Sequence, residues 1–184
     1  MNTNNQRKPR SRVPVSKKIS FCAVMSALSV VILLFGSLFQ SFDITTAAFA
    51  SFIVIIVMLE MGGCYPYLLY LSTSTLSFLL LPNKTVAFMY ICFFGLYPIA
   101  KKYLERLPRI YSWIAKFVVF NLIIGAFYLL MKTMFSPEIV QVKIPLILLL
   151  NVIFLTHDFA QTLFITAYVR KFRRLLQIYR FFRQ

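Results

Sequence analysis

Acidic side chains are scarce in this sequence: five Asp and Glu stand against twenty Lys and Arg in 184 residues. Charged residues of both signs make up only 14%, whereas a soluble domain carries about 25%. Too little polar surface exists to coat a globule in water. That excludes a soluble enzyme, a secreted disulfide scaffold and a disordered regulator. Three cysteines, Cys22, Cys64 and Cys92, are scattered without paired spacing, which gives neither a disulfide framework nor a zinc motif. A single histidine, His157, cannot build a multi-histidine metal site. There is no G-x-x-x-x-G-K-[ST], so the chain has no P-loop of its own, and there is no H-E-x-x-H. Ser72, Ser74 and Ser77 lack the glycine-flanked setting of a hydrolase nucleophile. The expectation is a protein that is not an enzyme and carries no cofactor.

What is abundant is apolar: 60% of residues are hydrophobic and the mean hydropathy is +0.77. Six apolar segments follow one another, at roughly 19–39, 44–61, 65–81, 85–100, 111–131 and 144–169. Each approaches the ~20 residues that cross a ~30 Å hydrocarbon core. Such segments must be helical, because lipid offers the backbone no hydrogen-bond partner. The expected fold is an all-α integral membrane protein, a six-transmembrane-helix bundle over residues 19–169. A basic, disordered arm (1–18) precedes it and a basic amphipathic tail (170–184) follows. The basic start before an apolar stretch is also the pattern of a signal peptide. Residues 19–39 are longer than the usual signal core, however, and further spans follow. Leu81-Pro82-Asn83-Lys84 is a turn signal that separates spans three and four. Span four has room to continue to Leu104, with Lys101 and Lys102 snorkelling to the surface.

Charge then sets the orientation. Net charge is +15, which in a soluble protein would suggest nucleic acid. Here the cations cluster between apolar runs. With the N-terminus inside, the inner segments hold sixteen Lys and Arg, the outer turns three, and Lys116 alone lies within a span. The positive-inside bias places a multi-pass protein in the cell membrane with both termini cytoplasmic. No nucleic-acid partner is expected.

A few polar residues fall inside the spans. Helix six carries Asn151, Thr156, His157, Asp158 and Gln161. A charge near the middle of a span costs about 2.5–3.5 kcal/mol on insertion scales, so such residues face the bundle interior or a wet cavity. They read either as an internal lock between helices or as a substrate or proton site. Lys116 can snorkel, pair with Glu60, or reach Asp158. By depth alone Tyr90, Asn121, Tyr128 and Asn151 could line an outward pocket with His157 and Asp158, suited to a small, partly planar ligand. Asp43 is expected to cap helix two or to sit at the mouth of that pocket. Ala23 and Ala27 form a small-xxx-small pair in helix one, a surface for packing within the chain or for docking another membrane protein.

The run Lys17-Lys18-Ile19-Ser20-Phe21-Cys22-Ala23-Val24-Met25-Ser26-Ala27-Leu28, with a second helix rich in small residues that ends at Gly62-Gly63, resembles the substrate-binding (S) component of energy-coupling factor transporters. The resemblance spans about residues 17–169. It implies a six-helix membrane-embedded subunit that captures a vitamin-like small nutrient outside. Ala23 and Ala27 would dock on a transmembrane coupling subunit, and two separate ATPase subunits would supply the energy for release inside. Two other classes stand beside it: a non-transporting membrane assembly or regulatory protein, and a proton-coupled secondary transporter that uses His157 and Asp158.

Overall fold

The computed structural model describes residues 14–39, 42–106, 108–134 and 144–172. Among these residues the chain is all-helical. Helix α1 runs Val15–Leu38, α2 Asp43–Glu60 and α3 Tyr65–Leu80. A broken segment follows: α4 at Lys84–Met89, a π-helical turn at Tyr90–Phe94, and α5 at Tyr97–Leu104. Helix α6 spans Arg109–Met134, and α7 spans Ile144–Ala167 before a second π-turn at Tyr168–Phe172. Among the described residues three helical stretches have the length and apolarity to cross a membrane: Val15–Leu38, Asp43–Glu60 and Leu148–Lys171. Ile110–Ala126 is a shorter apolar helix. Residues 1–13 of the expected arm, 173–184 of the expected tail and 40–41 of the first turn lie outside the described residues, whereas residues 15–18 of the arm are already helical as the start of α1 and residues 170–172 of the tail belong to the second π-turn.

On α1 and α7 polar side chains turn inward and large apolar ones outward, the reverse of a water-soluble bundle. On α1 the exposed stripe is Val24, Leu28, Val31, Phe35 and Leu38, at helical spacing. The buried stripe includes Ser26, Ser29, Gly36 and Ser37. On α7, Leu148, Leu149, Val152, Phe159 and Leu163 are exposed while His157, Asp158 and Gln161 are buried. Large apolar side chains outside and polar ones inside suit a hydrocarbon solvent. Hydroxyls on exposed surface fold back on their own helix: Thr75 donates to the Leu71 carbonyl, Thr156 to Val152 and Thr166 to Thr162, each at 2.9 Å. Each satisfies a donor that lipid would leave stranded.

The turns follow from backbone chemistry. Gly62 and Gly63 both adopt positive φ, 59° and 57°, which suits residues without a Cβ and reverses the chain after α2. At the next reversal the Asn83 side chain accepts from the Thr85 amide and caps α4. Lys84 Nζ donates to the Phe78 and Leu81 carbonyls at 2.7 and 2.9 Å, closing the end of α3. Asp43 does not act as the expected cap. It is the first residue of α2, and its Oδ2 accepts from Asn83 Nδ2 at 3.3 Å, tying the first turn region to the 82–84 turn.

Contacts define two ends. At one, Lys18 lies over the Tyr65 ring, the Tyr67 and Tyr103 hydroxyls meet at 2.6 Å, and Tyr168 donates to Glu60 at 3.2 Å. Lys102, Arg106, Arg170 and Lys171 belong to this basic end, as do the exposed Tyr67, Tyr103, Tyr111 and Trp113. Tyr and Trp with basic residues are the usual composition of a membrane interface. At the other end Asp43, Asn83 and Ser37 come together. Helix α2 sits centrally, in contact with α1, α3, α5 and α7. Its Ala47, Ala50, Val54, Ile55 and Val57 are wholly buried.

Span four departs from the expected continuous helix over 85–100. Its ladder shifts to i→i+5 bonding at Tyr90–Phe94, where the Gly95 amide donates to the Tyr90 carbonyl at 2.8 Å. Pro98 then sits in the first turn of α5, a place where its missing N–H costs nothing. The break turns α5 so that Tyr97, Lys101 and Glu105, four residues apart, share a face toward α6 and α7.

Candidate functional site

The polar interior is built around Asp158, halfway along α7 and 4% exposed. Lys101 Nζ reaches its Oδ1 at 2.7 Å, and the Tyr97 hydroxyl donates to the same oxygen at 2.5 Å. Lys116 Nζ, from α6, lies 3.1 Å from Oδ2. Lys101 also donates to the Asp158 carbonyl at 2.7 Å and to Thr162 Oγ1 at 2.8 Å, so its three protons are taken. Glu105 completes the group, 3.4 Å from Lys116 and 3.7 Å from Lys101. Two ammonium groups thus face two carboxylates, and the cluster as a whole is neutral. That neutrality makes it tolerable in a low-dielectric interior, since a buried ion pair survives only with good geometry and satisfied hydrogen bonds.

Lys101 does not snorkel as the sequence reading expected. It is 2% exposed and turned inward, because the π-turn rotates α5 and a carboxylate waits on α7. Lys116 pairs with Asp158 and Glu105 rather than with Glu60, which instead accepts from Tyr168. Sequence reasoning missed Tyr97, Lys101, Glu105 and Thr162 as parts of the site. The signal was the i,i+4 spacing of Tyr97, Lys101 and Glu105, matched by Asp158 and Thr162.

His157 turns away from Asp158. Gln161 Nε2 lies 2.9 Å from its Nε2 and donates to Ser51 Oγ on α2 at 3.4 Å. The imidazole sits among aromatic rings, with centroids 5.0 Å from Phe94, 5.9 Å from Phe93 and 6.1 Å from Tyr97. Asn121 and Asn151 meet across α6 and α7 at 3.3 Å. Tyr90 is wholly buried beside Tyr70, whose ring centroid is 6.3 Å away. Tyr128 lies on α6 with its side chain outside the described residues. Ala23 and Ala27 are both exposed on α1.

On the side of the cluster away from the basic end lies a cavity of about 160 Å³. Phe93 and Phe94 from the π-turn, Phe120 of α6, Phe154 and Leu150 of α7 and Ile44 of α2 line it with other apolar side chains. Phe120 and Phe154 stack at 4.2 Å, and Phe93 meets both edge-on. Tyr90, Asn121, Asn151, His157 and Asp158 are not among its walls. An apolar cavity of ~150 Å³ holds a single benzene ring, so this one suits one small ring rather than a drug-sized ligand. Among the described residues no three His, Cys, Asp or Glu side chains gather as a metal site would require.

No protein-family signature, curated protein or solved structure matches the chain.

Proposed function

We propose that this protein is a membrane-embedded capture subunit of an importer of the energy-coupling factor type. On this reading six helical segments cross the cell membrane, with α4, the π-turn and α5 forming one broken span and the basic end cytoplasmic. The carrying observation is the two-faced character of α1. Its Cys22, Ser26, Ser29, Val30 and Leu33 pack into the chain's own bundle, while Ala23 and Ala27 remain exposed beside Val24 and Leu28. Small side chains on a lipid-facing stripe let a foreign helix approach closely. Among the described residues no other helix covers Ala23 and Ala27, and on this reading that face docks on a transmembrane coupling subunit.

The aromatic cavity is the capture site on this reading. It takes a small, flat, largely apolar ring, a vitamin-like nutrient or its ring moiety, while the Asp158 cluster locks α5, α6 and α7 beneath it. The absence of a nucleotide motif in this chain fits a subunit whose energy comes from two partner ATPases. The saturation of Asp158 by two lysines and Tyr97 argues for a lock over a proton relay.

Purification from the native host tests the proposal. The chain should bring down a membrane coupling subunit and two ATPases. Ala23→Leu should break that complex while the bundle stays folded. A complex that survives Ala23→Leu overturns docking through this face. Uptake that persists without ATPase partners and is abolished by Asp158→Asn points instead to proton-driven transport.

A further inference from the structure

The end of α5 has two unlike faces. Inward, Lys101 and Glu105 belong to the neutral cluster around Asp158. Outward, Lys102 and Arg106 stand four residues apart, and both are exposed. The chain stays coiled this far, since the Glu105 and Arg106 amides donate to the Lys101 and Tyr103 carbonyls. Four residues is about one turn, so the two cations share a side. Neither pairs with a carboxylate among the described residues, and the neighbouring Glu105 is already met by Lys101 and Lys116. Lys84, at the opposite end of the molecule, differs: its ammonium is spent on the Phe78 and Leu81 carbonyls.

Two phenols stand beside these cations. The Arg106 guanidinium lies 5.4 Å from the centre of the Tyr103 ring. The Tyr103 hydroxyl meets that of Tyr67, on α3, at 2.6 Å on exposed surface. In such a pair one hydroxyl donates and the other accepts, so the accepting one keeps its own proton for a further acceptor. An ammonium, a guanidinium and a phenolic proton are the donors that a phosphate group takes.

The flanking surface says which phosphate. Helix α3 runs away from the basic end, and Leu71, one turn past Tyr67, is 65% exposed. Leu96, seven residues before Tyr103 and about two turns deeper on the same side, is exposed as well. A free phosphate has no use for apolar surface beneath it, whereas a phospholipid covers it with acyl chains. Two cations without a counter-charge favour a lipid of net negative charge over a zwitterion, whose own ammonium they repel.

We propose that the outer face of this turn, together with Tyr67, is an interfacial site for an anionic phospholipid. Lys102, Arg106 and the phenolic pair hold the phosphate, and Leu71 and Leu96 carry the chains below it. The bound lipid ties the end of α5 to the start of α3 on the outside of the bundle, as the Asp158 cluster ties α5 to α6 and α7 within it.

Fluorescence quenching resolved by position tests this in the full chain. The single tryptophan is replaced, Trp113→Phe, and a reporter is placed at the site, Leu71→Trp, or at the far end of the same helix, Leu79→Trp, where the side chain is also exposed. Each variant is reconstituted into phosphatidylcholine vesicles with increasing phosphatidylglycerol, one of the two lipids carrying dibrominated chains that quench the reporter on contact. At Leu71→Trp phosphatidylglycerol should be preferred about fivefold or more, the ~1 kcal/mol that a basic residue contributes near anionic lipid. At Leu79→Trp the preference should be close to unity. Lys102→Gln with Arg106→Gln should bring the first value down to the second. Salt at about 1 M should do the same, because screening then acts over about 3 Å.

Equal preference at the two reporters, or a preference at Leu71→Trp that survives the double substitution, overturns the site. Inorganic phosphate that removes the preference, where chloride of the same ionic strength does not, would assign the donors to a free anion and overturn the lipid. Should the double variant fail to accumulate, Arg106→Gln alone should lower the preference severalfold, and no change there is equally decisive. The readout is the same whichever way the chain inserts, so it stands apart from the orientation and the importer role proposed above.

Discussion

The two halves of the molecule are held together by different physics. Helices α1 to α3 meet through small side chains. A Cβ placed on Gly36 would lie 1.9 Å from Thr46 Oγ1, so the α1–α2 crossing exists only because that atom is missing. Ser26 and Thr73 bridge α1 and α3 with one hydroxyl pair at 3.0 Å, and Ala47 and Ala50 of α2 are wholly buried. Helices α5 to α7 meet instead through the Asp158 cluster and stacked phenylalanines. Lipid removes the hydrophobic drive for helices to associate, so a bundle needs either close van der Waals approach or polar glue. This chain uses the first in one half and the second in the other. The aromatic cavity opens in the bulkier half, between α6, α7 and the π-turn.

The sharpest way to break this contrast is Asp158→Ala. It strands two buried ammonium groups and should cost about 3–5 kcal/mol in a denaturant titration of the detergent-solubilised protein. The triple change Asp158→Leu, Lys101→Met and Lys116→Met should recover most of that loss, because an apolar replacement of a whole buried ion group is often neutral. A triple variant as unstable as Asp158→Ala would mean that the cluster does more than compensate its own charges.

A smaller effect is expected in the other half. Gly36→Ala drives a methyl group into Thr46 and should cost about 1–3 kcal/mol by overpacking. Adding Thr46→Ala should restore part of it, and the thermodynamic cycle should show strong coupling between the two positions. The smallest change is Ser26→Ala. Loss of one interhelical hydroxyl pair should cost about 0.6 kcal/mol, and Thr73→Val, which keeps the buried side chain's shape, should cost less in the Ser26→Ala background than alone. If Ser26→Ala matched Asp158→Ala in cost, the division between close packing and polar glue would not hold.

The helical segments, the Gly62-Gly63 reversal and the turn at 82–84 were legible in the sequence, since hydropathy and turn chemistry are local signals. The break at Tyr90–Phe94 was not. A π-turn arises from one extra residue per turn in an unbroken apolar run, and Tyr-Ile-Cys-Phe-Phe reads as ordinary span. Depth along a helix can be counted from sequence, but rotation about its axis cannot. That is why the sequence offers Lys116 and Asp158 as possible partners yet leaves Lys101 reaching outward. The same gap explains the cavity. Polar residues lie at pocket depth along the sequence, yet the walls are phenylalanines and aliphatics whose convergence depends on how α6, α7 and the π-turn face one another. Asp43 illustrates a third limit. Its position suggested a cap, but its partner, Asn83, lies forty residues away.

The orientation of the bundle is the claim on which capture from outside and docking within the membrane both depend. A reporter fused to each end of the full chain, read in intact cells and after permeabilisation, tests it most directly. Both reporters should be reachable only after permeabilisation; a reporter at either end that responds in intact cells would contradict it.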